Sequence, residues 1–399
     1  MWIKRDFLNN WDQNRSLEAI LLRGPRQVGK TSMLLKMDPA PRSKIFLDDP
    51  NEQERVIQDP EFVLSQLGLP TLIDEIQRAP TLLFSIKKSI DEQRRRRLEN
   101  DTPTMPAAFR MTGSNQTEID RALKETLAGR ISLFQVHGLS AHEIWAHDPT
   151  IELKQILFRG GFPELWVRPE LKPVSFLNDY YSTFIEKDIA RTAGVEKLSA
   201  FSTVVRLLAG RVGELLNFES LGNDAGVTGK SVKDWISLLA NNGILYILKP
   251  YHSNLNKRLI KMPKTYFMDI GVAVRLQSHQ EQDAILSVPQ AGHLFENLVI
   301  AEAIKTKDHF CKNWDLYFWR TKEKEEIDLI VESDKNITLV QIKLGSTKNG
   351  EIPAPAALVA TNKKIRRAFV TAIGKRGVGP GEVDLVPLKD FCDYLLEFS

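Results

Sequence analysis

Eight consecutive residues, Gly24-Pro25-Arg26-Gln27-Val28-Gly29-Lys30-Thr31, place two glycines, a lysine and a hydroxyl in the spacing G-x-x-x-x-G-K-[ST]. Such a loop suits phosphate chemistry. Its glycines let the backbone curl until N–H groups and a helix N-terminus face a phosphate. Lys30 then neutralises β/γ charge and the Thr31 hydroxyl holds Mg²⁺, so that the loop, extended to Ser32, reads as an ATP site. Further along, Leu72-Ile73-Asp74-Glu75 ends an apolar run in two carboxylates. Asp74 suits the Mg²⁺ through its water, and Glu75 suits the base that polarises the attacking water. In Met111-Thr112-Gly113-Ser114-Asn115, both Ser114 and Asn115 qualify to orient that water or read the γ-phosphate, and Asn115 joins Lys30 and Glu75 in the catalytic set. Arg130, in Ala128-Gly129-Arg130, completes it as an arginine finger supplied to a neighbouring subunit.

These residues act together only if strands deliver them to one edge. Ala19 to Leu22, Lys44 to Leu47, Thr71 to Ile73 and Phe109 to Thr112 are short apolar runs ending in polar or glycine residues. Amphipathic stretches such as Phe84 to Arg97 separate them, the pattern of a parallel sheet covered by helices. The glycine loop follows the first run and opens a helix with Met33, Leu34, Leu35 and Met37 on its apolar side. A turn-rich segment, Arg159 to Glu164, marks a boundary. Helices then dominate to about residue 215, and from about 290 a helix (Leu294 to Lys305) precedes strands at Leu316 to Trp319, Ile327 to Val331, Thr338 to Lys343 and Arg367 to Thr371.

Composition narrows the function classes. The chain has 399 residues, enough for two or three domains, with 42% hydrophobic and 26% charged residues, an ordinary globular balance. A net charge of +3 is too small for the whole chain to act as a polycation, so any nucleic-acid surface must be local. Two cysteines, Cys311 and Cys392, build neither a disulfide framework nor a thiolate metal cluster, and His137, His142 and His147 recur at a spacing that scatters them over different helix faces. There is no apolar leader and no long apolar run, which makes a cytoplasmic protein without a membrane partner the expectation.

The chain resembles the bacterial and archaeal AAA-type ATPases whose core is followed by a C-terminal domain of unknown function. The resemblance rests on Gly24 to Thr31, Ile73-Asp74-Glu75-Ile76-Gln77, Thr112-Gly113-Ser114, Ala128-Gly129-Arg130, Gly160-Gly161-Phe162-Pro163-Glu164, Pro263 to Gly271 and Phe295-Glu296-Asn297. It implies an α/β chain in three parts. Residues 1–150 form a P-loop sheet of AAA type, 151–285 a helical region with a winged helix-turn-helix, and 286–399 an α/β restriction-endonuclease-like domain.

Between Thr228 and Lys264 stand seven basic residues, Lys230, Lys233, Lys249, Lys257, Arg258, Lys261 and Lys264, against one acid, Asp234. The layout reads as helix, turn (Gly226 to Gly229), second helix, then a hairpin. Lys230 and Lys233 would enter a major groove while Lys257, Arg258 and Lys261 on the wing grip phosphate, with Trp235, Leu238 and Leu239 packed inward. The run Arg94 to Arg97 reads as a solvated helix face, or as the lining of a channel if subunits form a ring. In the last domain Glu296, Asp328 and Gln341-x-Lys343 follow the order of PD-(D/E)XK nucleases. There two carboxylates hold Mg²⁺ and the lysine orients the water, but here Gln341 stands where a second acid is usual, which weakens metal binding. Arg320, Lys322 and Lys324 nearby suit phosphate contact.

The sequence thus points to a Mg²⁺-dependent AAA-type ATPase, homo-oligomeric, that binds and remodels branched or single-stranded DNA. Its rivals are an ATP-gated metal nuclease and a nucleotide-driven signalling or defence switch with a protein partner.

Overall fold

A computed structural model describes all residues except 1, 15–16, 102–104, 115–125, 191–193, 252–261, 322–324, 346–351 and 398–399. The chain forms two compact units. One comprises Lys4–His137 with Asp308–Cys311, the other Met1–Ile3 with Gly138–Lys307 and Lys312–Ser399.

The first unit is built on five parallel strands, β1 (Ala19–Arg23), β2 (Ser43–Phe46), β3 (Thr71–Asp74), β4 (Phe109–Gly113) and β5 (Ile131–Gln135), in the order β2-β3-β4-β1-β5. Helices must cover both faces of such a sheet, and the central strands β3 and β4 are buried at every residue. This is why they read as continuous apolar runs. Asp49 and Asp59 cap the helices Pro50–Gln58 and Pro60–Ser65, accepting from the backbone N–H of Asn51 and Phe62. A long helix, Leu82–Asn100, sets Leu82, Leu83, Ile86 and Ile90 against the sheet. Because β4 lies between β1 and β3, the carboxyl ends of these three strands share one edge, where α/β sheets place their ligands.

The second unit begins with short helices. Ser140 and Glu143 form a reciprocal capping box on the helix Ala141–His147. Gly160, at φ 70°, lies so close to Asp269 that a Cβ there would sit 2.2 Å from its Oδ1, and Gly161 donates its N–H to Asp269 Oδ2 at 2.7 Å. Asp269 also caps the helix Ile270–Leu276 through the N–H of Val272. Two of the stretches behind the family resemblance are therefore the two halves of one backbone joint.

Three helices follow, Leu198–Gly210, Phe218–Ala225 and Gly229–Asn241, then the antiparallel strands β6 (Leu245–Pro250) and β7 (Lys264–Phe267). Asn217 and Thr228 cap the second and third helices, and Gly226 turns the chain between them in the left-handed conformation. Leu215 forms an antiparallel bridge with Lys264. The remaining strands are β8 (Asp315–Arg320), β9 (Glu326–Glu332), β10 (Asn336–Lys343), β11 (Lys364–Thr371), β12 (Gly377–Val378) and β13 (Asp384–Pro387). They join β6 and β7 in one sheet of eight, β12-β13-β11-β10-β9-β8-β6-β7. The seam at the expected 285/286 boundary is the parallel pairing of β6 with β8, Lys249 with Tyr317 and Pro250 with Phe318. Leu245 and Tyr266 on one side share a core with Phe295, Leu298, Leu329 and Val340 on the other. Two regions that the sequence reads as separate domains thus fold around common packing.

Candidate functional site

The loop after β1 turns as the spacing requires. Gly29 takes φ 90° at the start of the helix Lys30–Lys36. Gly24, after β1, approaches Val136 so closely that a Cβ would lie 2.0 Å from its carbonyl oxygen. Lys30 is buried and donates from Nζ to the carbonyls of Gly24 at 3.0 Å and Pro25 at 2.8 Å. Burial lowers its pKa to about 8, against the pull of Glu75 and Asp74 in the other direction. Both of these acceptors are uncharged, which leaves the ammonium a cation placed for an anion.

Across β4, Thr31 Oγ1 donates to Asp74 Oδ1 at 2.7 Å, and Thr112 Oγ1 donates to the same oxygen. Burial raises the Asp74 pKa against the effect of these two hydroxyls. Glu75 follows in the left-handed region at φ 55°, a strained conformation for a residue with a Cβ. Its N–H donates to Thr112 Oγ1 at 2.9 Å, and its Oε2 accepts from Ser114 Oγ at 2.6 Å and from Gln77 Nε2. Burial works to raise the Glu75 pKa, but the Lys30 ammonium and the Ser114 and Gln77 hydrogen bonds outweigh it and hold the carboxyl below its usual range. Lys30, Thr31, Asp74 and Glu75 therefore meet at one edge, with Ser114 on the Glu75 carboxylate. Asn115 lies outside the described residues. Thr112 belongs to this site although sequence reasoning gives it no role; its place as the last-but-one residue of a buried strand beside two acids is the signal that could have found it.

Arg130 stands elsewhere. It immediately precedes β5, and its carbonyl accepts from Ala19 N–H at the amino end of β1. With five-residue strands rising ~3.3 Å per residue, the sheet separates it from the glycine loop by about 15 Å. Its Nε donates to Asp91 Oδ1 at 2.6 Å. Arg130 does not reach the phosphate loop of its own chain. The arginine run is also not a plain solvated face: Arg94 makes a bidentate pair with Glu18 at 2.7 and 2.8 Å and donates to Gly129 O, while Arg95, Arg96 and Arg97 are exposed.

Of the basic segment, Lys230 and Lys233 are exposed in the first turns of the helix Gly229–Asn241, and Lys249 is exposed on β6. Trp235 stacks edge-on to Phe201 at 5.6 Å, and Leu239 is buried. Lys257, Arg258 and Lys261 lie outside the described residues. Lys264 departs from expectation. It is 3% exposed, and its Nζ lies 2.5 Å from Glu326 Oε1 and 3.1 Å from Glu296 Oε1. Strand β7 is buried throughout, so this side chain turns into the acids rather than toward solvent.

Glu296, Asp328, Gln341 and Lys343 do come from neighbouring elements, the helix Ala291–His309 and strands β9 and β10. One oxygen of each acid is engaged internally, Oε1 of Glu296 and Oδ2 of Asp328. Tyr266 OH donates to Glu296 Oε1 at 2.6 Å, and Ile342 N–H donates to Asp328 Oδ2 at 2.7 Å. Burial and the nearby Glu296 raise the Asp328 pKa to about 7. Lys343 is exposed and Gln341 half-buried. Divalent Mg²⁺ needs near-octahedral oxygen at 2.0–2.1 Å, and here the ammonium, the phenol and the backbone amide already hold Glu296 Oε1 and Asp328 Oδ2, oxygens such an ion would compete for.

A strand, a glycine loop and a helix, with a threonine–carboxylate pair at the carboxyl edge of a parallel sheet, define a P-loop nucleotide-binding domain. Sequence comparison gives the particular kind. Residues 16–145 match the family model of an AAA domain, residues 150–283 a domain of unknown function (DUF8612) and residues 291–391 a domain of unknown function (DUF4143). The chain thus matches an AAA domain ahead of two domains of unknown function. It is similar to uncharacterized proteins of Mycobacterium bovis and Mycobacterium tuberculosis, each 28% identical over 343 residues, covering 86% of this chain and 74% of theirs. An uncharacterized protein of Haemophilus influenzae is 23% identical over 253 residues, 60% of either chain. Among solved structures, the Aeropyrum pernix ORC2 protein in ADPNP–ADP complexes aligns with TM-score 0.29 at 11% identity, over 75% of this chain and 91% of that one. The Aeropyrum pernix ORC1 protein in complex with DNA aligns with TM-score 0.22 at 14% identity, over 65% and 86%. Superpositions this loose transfer nothing residue by residue. Among the described residues no helix is long and apolar enough to cross a membrane.

Proposed function

We propose that the protein is a Mg²⁺-dependent ATPase of AAA type that binds DNA, branched or single-stranded, and remodels it. The observation that carries the ATPase reading is the Thr31–Asp74 hydrogen bond of 2.7 Å, which joins the glycine loop to the acid-ended strand. Thr31 and Asp74 would hold Mg²⁺ through a hydroxyl and a carboxylate, and the ion would supply positive charge against that of the phosphates. Lys30 exchanges the carbonyls of Gly24 and Pro25 for phosphate oxygens, and a charge-assisted bond of that kind is roughly twice as strong as a neutral one. Glu75, ionised at neutral pH, accepts the proton of the attacking water. Ser114 and Gln77 fix the carboxylate that does so. Arg130, far from its own chain's loop, serves the site of a neighbour in an oligomer.

The three helices and the β6–β7 hairpin have the order of a winged helix-turn-helix, with Lys230 and Lys233 exposed in the first turns of the third helix. That supports a nucleic-acid surface in which this helix enters a groove.

The test is ATP turnover with single-stranded, duplex, forked and four-way DNA. Stimulation by one of these, abolished in Lys30→Ala, is the expected result. Full hydrolysis by Lys30→Ala refutes the ATPase assignment. Turnover indifferent to every DNA moves the protein to a nucleotide switch with a protein partner.

A further inference from the structure

We infer that Lys264 is the resident cation of the C-terminal acid cluster: its ammonium stands where Glu296, Glu326 and Asp328 would otherwise draw a divalent metal ion, and the domain as built takes no metal. The backbone delivers this lysine to the acids. Lys264 is the first residue of β7, paired with Leu248 of β6 and bridged to Leu215, so two backbone partners fix where its side chain starts. Side chains two apart on a strand share a face, and Lys264 and Tyr266 both reach Glu296 Oε1, at 3.1 and 2.6 Å. The same Nζ contacts Glu326 Oε1 at 2.5 Å, and Arg320 Nη1 lies 3.4 Å from the other Glu326 oxygen. Asp328 is turned to the backbone N–H of Ile342.

Charge and tethering then decide the occupant. Gln341 contributes no charge, so the cluster holds one anion fewer than a site with an acid there. A monovalent ammonium, with Arg320 at the rim, balances Glu296 and Glu326. A cation fixed on the same chain also acts at an effective concentration in the millimolar range or above. A free ion must beat that while stripping its own water, which Mg²⁺ gives up reluctantly. The residues keep the order of a metal-dependent nuclease, but a strand from the neighbouring hairpin has filled the metal's place.

Removing the lysine tests this. Deleting one partner of a buried ion pair leaves an uncompensated charge, and an ion that binds only the folded chain restores stability by mass action. The full-length protein is prepared with Asp74→Asn, which removes the N-terminal candidate metal site, and is titrated with Mn²⁺ without nucleotide while its Tm is followed. Lys264→Met is expected to lower Tm, and to bind Mn²⁺ at least about tenfold more tightly than its parent, with Tm recovering as the ion is added. Adding Glu296→Gln to Lys264→Met is expected to abolish the recovery. A folded Lys264→Met with no Mn²⁺ response overturns the inference. So does a parent whose Tm rises with Mn²⁺ and loses that rise on Glu296→Gln. The wild-type chain gives a second reading that needs no variant to fold. Fe²⁺ with ascorbate is expected to leave the backbone around Glu326 to Lys343 intact, and cleavage there, located by mass spectrometry, overturns the proposal equally.

Discussion

Each unit buries a lysine among acids at the edge of a sheet, and the two lysines differ in what they hold. Lys30 donates to two backbone carbonyls, and burial lowers its pKa to about 8. Burial opposes the charge of Lys264 as well, yet Glu296 and Glu326 prevail and raise its pKa. The first ammonium is a charge kept in reserve for an anion that arrives; the second is committed to anions already present. Whether a buried cation marks a binding site or closes one is therefore decided by its acceptors, neutral or ionised, and not by its burial.

The contrast is most exposed to disproof at the acids. Glu75→Gln is expected to slow ATP turnover by about a thousandfold, within the range of a lost general base, with nucleotide binding retained in a filter assay. Near-normal turnover would remove Glu75 from the water-activating role. At the lysines themselves, Lys30→Met should lose turnover without loss of fold. Its Tm should match or exceed that of wild type by a few degrees, because a thioether has no charge to desolvate. A large drop in Tm would make Lys30 a structural residue like Lys264.

Titration separates the two acid sets further. Asp328 keeps its proton up to about pH 7 in the folded chain, whereas its ordinary value is 3.8. The folded state thus binds more protons than the unfolded one between about pH 4 and 7, and this group's contribution to stability falls as pH rises through that window. Urea denaturation across the window should show that fall flattened in Asp328→Asn. Ser114→Ala carries the next effect in size, about tenfold in turnover, from the loss of one hydrogen bond to Glu75. The smallest belongs to the helix surface. Neutralising Lys230 and Lys233 together should flatten the slope of log K for DNA against log salt by about 0.9 for each phosphate no longer neutralised.

Much of the first unit is legible in the sequence because its central strands are buried on both faces. The runs at Ala19, Thr71 and Phe109 locate β1, β3 and β4 to within a residue at each end. β5 leaves no such mark, since Ile131-Ser132-Leu133-Phe134-Gln135 is an edge strand with only Phe134 buried. β12 and β13, of two and four residues, are too short to show a period. The glycine loop and Asp74-Glu75 are readable from spacing alone. Ser114 is readable only as one of two polar residues, and its hydrogen bond to Glu75 is a matter of three dimensions. Counting charges along a segment misplaces Lys264, because it assigns every lysine to one surface. The alternation in Lys264-Thr265-Tyr266-Phe267, which sets a lysine and a tyrosine on one face of a buried strand, is the available clue. Pairing between β6 and β8 links residues far apart in the chain, and no local pattern encodes it.

That two-residue pairing of β6 with β8 has a consequence for how such a chain could be assembled or dissected. Cut the gene between the second and third family segments, near residues 284–290, and each fragment inherits a raw strand edge, β6 on one and β8 on the other. Rows of unpaired amides and carbonyls invite other chains, so both fragments should clump when expressed singly and reassemble when expressed together. Inheritance would follow the same grain: the hairpin and the acid-bearing sheet travel as one heirloom, while a division near residues 137–138 severs no strand pairing among the described residues.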